Sequence, residues 1–228
     1  MISGLLISQA EAGLGAAGET IPGLSFSKFE TSIYAEYGLS DRLTLILQLA
    51  SQRVSQDNNG ITDTAEGLSA SRAGLQARLW QSGRIVVSAQ LAAVIPGGGE
   101  NIADRPLGDG ANGAEARLLI GRSLGTNGFA DLQAGYTWRA EGYPEEYRLD
   151  ATLGWRWAER YQLLAQSFYT QGEADRQRSH RAFRQHKLQV SAGRAIGNGT
   201  LMFGAFTTID GRNSIDESGV IVSWWRRF

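Results

Sequence analysis

The chain has 228 residues, with 22 Lys and Arg against 23 Asp and Glu for a formal net charge of −1, so it lacks the broad basic face that nucleic-acid binding requires. There is no cysteine and there are two histidines, which excludes disulfide scaffolds, thiolate metal centres and cysteine nucleophiles. Glycine is frequent at 29 and proline scarce at 4, and no apolar run reaches the roughly 18 residues of a membrane-crossing helix.

The dominant pattern is period-two alternation, which places successive side chains on opposite faces of a sheet. Residues 4–10 read as a first strand of the mature fold. Ala10-Glu11-Ala12 makes only a weak cleavage site, because no basic residue precedes it and the apolar part before it is too short for a secretory leader. Strands follow near 27–38 and 42–54, and in the second of these Leu43, Leu45, Leu47 and Leu49 share one face. Others are expected near 66–80, 84–95 and 112–124. In 128–139, Leu132, Tyr136 and Trp138 face one way while Asp131, Gln133 and Arg139 face the other. In 146–157 the apolar set is Tyr147, Leu149, Ala151, Leu153, Trp155 and Trp157. Strands near 160–171, 184–195, 199–209 and 216–228 complete the chain.

Connection lengths alternate. Tight turns fall at Ser40-Asp41, Ser82-Gly83, Thr126-Asn127, Ala158-Glu159 and Gly197-Asn198, and longer polar loops near 11–26, 55–65, 96–111, 140–145, 172–183 and 210–215. A soluble sandwich has no reason to collect every short turn at one end. The expectation is therefore a single all-β domain spanning 1–228. It is a closed antiparallel transmembrane β-barrel of about 12 strands, with short periplasmic turns and long extracellular loops, in the outer membrane of a Gram-negative bacterium. Aromatic residues support this depth assignment. Trp138, Tyr147 and Tyr169 fall near the outer rim, while Tyr37, Trp155, Trp157, Tyr161 and Trp224 fall near the turn side. Arg122 and Arg194 share the outward parity beside the turns, where they can snorkel to head groups.

The positive charge is nearly all arginine. Parity sends Arg72, Arg78, Arg117, Arg139, Arg148 and Arg156 inward, together with Lys28, Lys187, Glu30, Glu36, Glu115, Asp131, Glu146 and Asp150. Two readings stand. Guanidinium forks lining the bore bind carboxylate or phosphate on a passing solute, or the mixed charges pair with each other and narrow the lumen. The segment 174–187 gathers Arg176, Arg178, Arg181 and Arg184, which suits either lipopolysaccharide phosphates at the cell surface or a solvated loop. The Gly-rich segment 96–113 lacks the Lys-Ser/Thr of a phosphate loop, and neither a metal centre nor a cofactor is expected.

No catalytic constellation emerges. His186 is followed by Leu188 where a paired serine would stand, Ser191 lies too far along the strand, and Ser179-His180 has no neighbour placed to orient it. An enzyme is not expected. Small residues Gly67, Ser69, Ser71 and Ala73 on the outward face of strand 66–80 suit either contact with another protein or a second copy, or a position above the hydrocarbon band where polarity is tolerated.

The last strand, GVIVSWWRRF, resembles the C-terminal signal of Gram-negative outer-membrane barrels, with Trp224 and the terminal Phe228 at the signal positions and Arg226 where an apolar residue is usual. That resemblance implies the barrel-assembly machinery as a partner. FETSIYAEYGLSDRLTL, YRLDATLGWRW and GAFTTIDGRNSIDESGVIVSWWRRF resemble the phenol-degradation-pathway transporter-like barrels. The size and strand count also resemble small oligosaccharide-specific channels. The leading expectation is a passive channel for small polar or anionic solutes through the arginine-rich lumen. The alternative is a closed barrel with a structural or partner-binding role in an outer-membrane assembly, in contact with lipid and lipopolysaccharide.

Overall fold

The computed structural model describes residues 1–97, 99–100, 111–140, 143–158, 160–174 and 181–226. Among them run β1 (Ile2–Leu14), β2 (Thr20–Gly38), β3 (Leu43–Asn58), β4 (Ile61–Leu68), β5 (Ser71–Ser82), β6 (Ile85–Ile95), β7 (Gly99–Glu100), β8 (Gly113–Leu124), β9 (Gly128–Arg139), β10 (Glu146–Trp157), β11 (Tyr161–Gly172), β12 (Phe183–Ile196), β13 (Gly199–Arg212), β14 (Ser214–Ile215) and β15 (Ser218–Arg226). Twelve of these form a closed antiparallel ring in chain order, with β1 pairing both β2 and β15. The short strands β4, β7 and β14 extend the wall at one end. Closure leaves the ring no unpaired edge.

The faces are sorted for lipid. On β3, Leu45, Leu47 and Leu49 are exposed while Ile46 and Ala50, of the opposite parity, are buried. Exposed leucines recur at Leu75, Leu91, Leu132, Leu153 and Leu163, whereas Glu115, Arg139 and Glu146 are buried. Apolar outside and charged inside inverts the arrangement of a soluble fold and suits a wall immersed in hydrocarbon. The aromatic residues pair along this outer surface, Tyr136 with Tyr147 at 5.1 Å and Trp157 with Tyr161 at 6.0 Å between ring centroids. Arg194 lies over Tyr161 at 6.0 Å, holding its charge at the turn-side rim.

The tight turns stand at one end, and among the described residues three of the expected long loops are mostly strand. The expected loop 55–65 is the tip of the β3–β4 hairpin, turned by Asn59 and Gly60 at φ of 56° and 88°. Two left-handed residues make the turn whose twist matches paired strands. The flanking residues are polar on both faces, which is why alternation alone hid them. The expected loop 11–26 shrinks in the same way, since β1 runs to Leu14 and β2 begins at Thr20. The expected loop 210–215 tightens to a turn at Asn213, with φ of 47°.

Strand 66–80 is not continuous. Ser51 pairs Leu68 and Gln48 pairs Arg72, so this side carries one extra residue between β4 and β5. A single inserted residue flips parity. Glu66 and Leu68 therefore face outward, and Gly67 and Ser69 do not share the face of Ser71 and Ala73. A second bulge between Arg78 and Trp80 turns both Leu79 and Trp80 outward, where strict alternation would aim Trp80 into the lumen.

Candidate functional site: the barrel interior

Residues two apart on a strand share a face, so Glu115 and Arg117 on β8, Asp131 and Gln133 on β9, and Glu146, Arg148 and Asp150 on β10 all point inward. The Glu115 side chain is 1% exposed and sits between Arg117, with Nε 2.7 Å from Oε1, and Arg72, with Nε 3.4 Å from Oε2. Arg117 then crosses β9 to Asp150, with Nη1 2.9 Å from Oδ2, and donates to Gln133 Oε1 at 3.3 Å. Gly135 makes that crossing possible. It is the register partner of both Arg117 and Arg148, and a Cβ there would lie 3.2 Å from Arg117 Cγ. Gln133 in turn donates to Asp131 at 2.7 Å. Toward the loop end, Glu146 receives Arg139 at 2.9 Å and Arg148 at 3.1 Å.

A second network spans the other side. Glu217, 5% exposed, lies 3.2 Å from Lys28 and is bonded to Lys187 and to the Ser8 hydroxyl, which donates to it. Lys187 also stands 5.3 Å from the centroid of the Phe206 ring. Alternation along β15 places Glu217 inward with Ile221, Ser223 and Trp225; sequence reasoning passed over it by attending to the opposite face.

Arg72, Glu115, Arg117, Asp131, Arg139, Arg148, Asp150 and Lys187 therefore all join interior networks, as their parity required. Arg78 is half-buried on the inward face of β5, and Arg156 lines the mouth at the turn end. Arg176, Arg178 and Phe228 lie outside the described residues. Arg181 is exposed, and Arg184 faces outward on β12, where Asp210 takes its Nε at 3.2 Å. Trp224 faces outward and covers Gly199.

One pair was invisible to a search along single strands. Ser167 on β11 and His186 on β12 meet on the outer face with Oγ 2.7 Å from Nε2, and Tyr169 lies edge-on to the imidazole at 6.1 Å. Asp210, the register partner of His186, is held by Arg184.

Open volume remains inside. A cavity of about 710 Å³ opens at the turn end, a second of about 560 Å³ begins beside it at Arg84 and Ser123, and a third of about 220 Å³ lies deeper. The Trp225 side lines all three, and its indole donates to Ser223 Oγ at 2.9 Å.

A closed ring, a lipid-matched outer face and a polar, partly hollow interior define a membrane-spanning β-barrel of the outer-membrane, porin-like kind. The chain belongs to the family described as putative MetA-pathway of phenol degradation, whose model matches residues 16–224. Its structure is similar to an outer membrane channel from Pseudomonas putida F1, at 17% identity and a TM-score of 0.79 over 100% of this chain and 94% of that one. It is also similar to the KdgM porin, at 7% identity and a TM-score of 0.57 over 100% and 99% of the two chains. The NanC porin gives 7% and 0.57 over 98% and 100%. At these identities the likeness is one of fold. No curated protein matches the chain by sequence.

Proposed function

We propose that the chain is a passive outer-membrane channel for small polar or anionic solutes, without a catalytic step. The turn end faces the periplasm and the hairpin end faces outward, as the connection lengths suggest. The observation that carries the reading is the run of three cavities meeting at Trp225 behind a polar wall. The fold shared with outer-membrane channels and porins supports it. Most interior arginines are matched by carboxylates, so the path is narrow and its selectivity lies with the cations left over.

Single-channel recording on the refolded, heat-modifiable protein tests this. Discrete steps whose anion preference falls in Arg156→Gln support the channel. A folded barrel that never conducts overturns it and favours the second reading, a closed barrel serving an assembly. The two charge networks at the hairpin end support that alternative, because together they engage strands on both sides of the ring. Contacts with lipopolysaccharide around Arg181 and with the barrel-assembly machinery through the last strand belong to the same proposal.

A further inference from the structure

The interior cations are not distributed alike along the barrel. In the hairpin half, Arg72, Arg117, Arg139, Arg148, Lys28 and Lys187 each meet a carboxylate within 4.0 Å. At the turn end, Arg156 on β10 and Arg160 in the β10–β11 turn line the 710 Å³ cavity with exposed side chains. Neither makes an ion pair with any described residue. Among the described residues that line the cavity, the acid is Glu36, which accepts from the Tyr34 hydroxyl at 2.6 Å. Arg226 adds a third cation, with its guanidinium 3.1 Å from the Asn198 side-chain amide.

The same cavity carries flat apolar surface. Tyr34, Phe129 and Trp225 all point inward into it. Phe129 lies against Gly154 on β10, where any Cβ would collide with the ring. Its position is therefore fixed by the wall two residues from Arg156. A guanidinium binds a carboxylate through a planar fork, and aromatic faces bind a planar apolar body. An inorganic anion would use the first feature alone, and a neutral ring the second alone.

We propose that the turn-end mouth is a binding site for small organic carboxylates with a flat apolar body, the carboxylate on Arg156 and Arg160 and the body between Phe129 and Trp225. This rests on the channel reading and names the solute class it holds at the periplasmic mouth. Because Trp225 also borders the cavity alongside and the smaller one beyond it, a solute seated there stands at the entrance to the rest of the lumen.

The test uses the full chain refolded in detergent and titrated with 4-fluorobenzoate, followed by ¹⁹F NMR of the ligand. Saturable binding is expected, weakened about tenfold or more (~1.4 kcal/mol) in Arg156→Gln/Arg160→Gln and in Trp225→Leu. Arg194→Gln, on the outer face of the same rim, leaves it unchanged. Neutral 4-fluorobenzyl alcohol binds at least about tenfold more weakly, and acetate at equal concentration does not displace the benzoate. Absence of saturable binding overturns the site, as does binding indifferent to the double arginine variant or displaced equally by acetate. The double variant changes only exposed side chains, so the test stands even if Trp225→Leu fails to fold. Conductance is measured separately: a barrel that binds without conducting keeps the site and loses the channel, and one that conducts without binding does the reverse.

Discussion

Lys28 on β2 and Glu217 at the head of β15 lie 3.2 Å apart across β1, the strand through which the ring closes. Lys187 on β12 reaches the same carboxylate from the other side. One buried acid thus ties together strands that the backbone ladder joins only through intermediates. Removing one partner from a buried ion network costs more than the network contributes, because charge is left without compensation.

Glu217→Gln leaves two part-buried ammonium groups facing a neutral amide. It should lower stability by roughly 3 kcal/mol, read as a shifted urea midpoint for the refolded protein in lipid vesicles. A triple apolar replacement, Lys28→Met/Lys187→Met/Glu217→Leu, should recover most of that loss. Failure of the triple variant to regain stability would show that the ions themselves, and not their balance, hold this wall.

Arg117 and Asp150 meet at 2.9 Å with 13% and 20% of their side chains exposed. A double-mutant cycle with Arg117→Met and Asp150→Leu should give a coupling of about 1–3 kcal/mol. The neighbouring Gly135→Ala should weaken the same coupling, since its methyl would stand where the Arg117 stem crosses β9. Additivity of the two single changes would mean that the pair is decoupled by water.

Asp57 sits beside the β3–β4 tip, beyond the ring, and accepts from the Thr62 hydroxyl at 2.7 Å and the Gly60 amide at 3.0 Å. The Thr62 bond first, then the backbone bond, holds its carboxyl below the usual value of 3.8. A folded pKa below the unfolded one stabilises the tip above the unfolded pKa, and that support is lost as pH falls through the folded value. NMR titration should show the Gly60 amide shifting only in that acid window, and Asp57→Asn should remove the transition.

Ala158 holds φ at 47°, in the left-handed region that a β-carbon disfavours. Ala158→Gly should raise stability by about 1 kcal/mol, seen as a higher unfolding temperature in micelles. No gain would place the cost of this turn elsewhere in the β10–β11 hairpin.

The ring itself was readable from alternation, because lipid outside and polar groups inside impose opposite chemistry on neighbouring residues. Leu45, Leu47 and Leu49 against Thr44 and Gln48 suffice to set the facing of β3. Alternation failed where that contrast ends. Above the bilayer both faces of the β3–β4 hairpin meet water, so Gln56-Asp57-Asn58 carries no facing signal. Bulges also escape a period-two reading, as at Ser69-Ala70 and Leu79, since nothing in the local residues marks the inserted one. The interior charges were legible one by one through parity, but their partners were not. Ser167 with His186, and Arg117 with Asp150, depend on which residues of different strands stand side by side, which register decides and sequence spacing does not.

Pairing between β1 and β15 has a consequence for the order of events. Ile7 meets Val220 and Ser8 meets Gly219, so the first strand made waits for the last before one side of it is satisfied. Throughout synthesis and transit that side is a bare template for other chains, and contacts this distant in sequence form slowly. A late-arriving carboxylate at Glu217, drawn to lysines already in place on β2 and β12, gives the final strand a charged address to find.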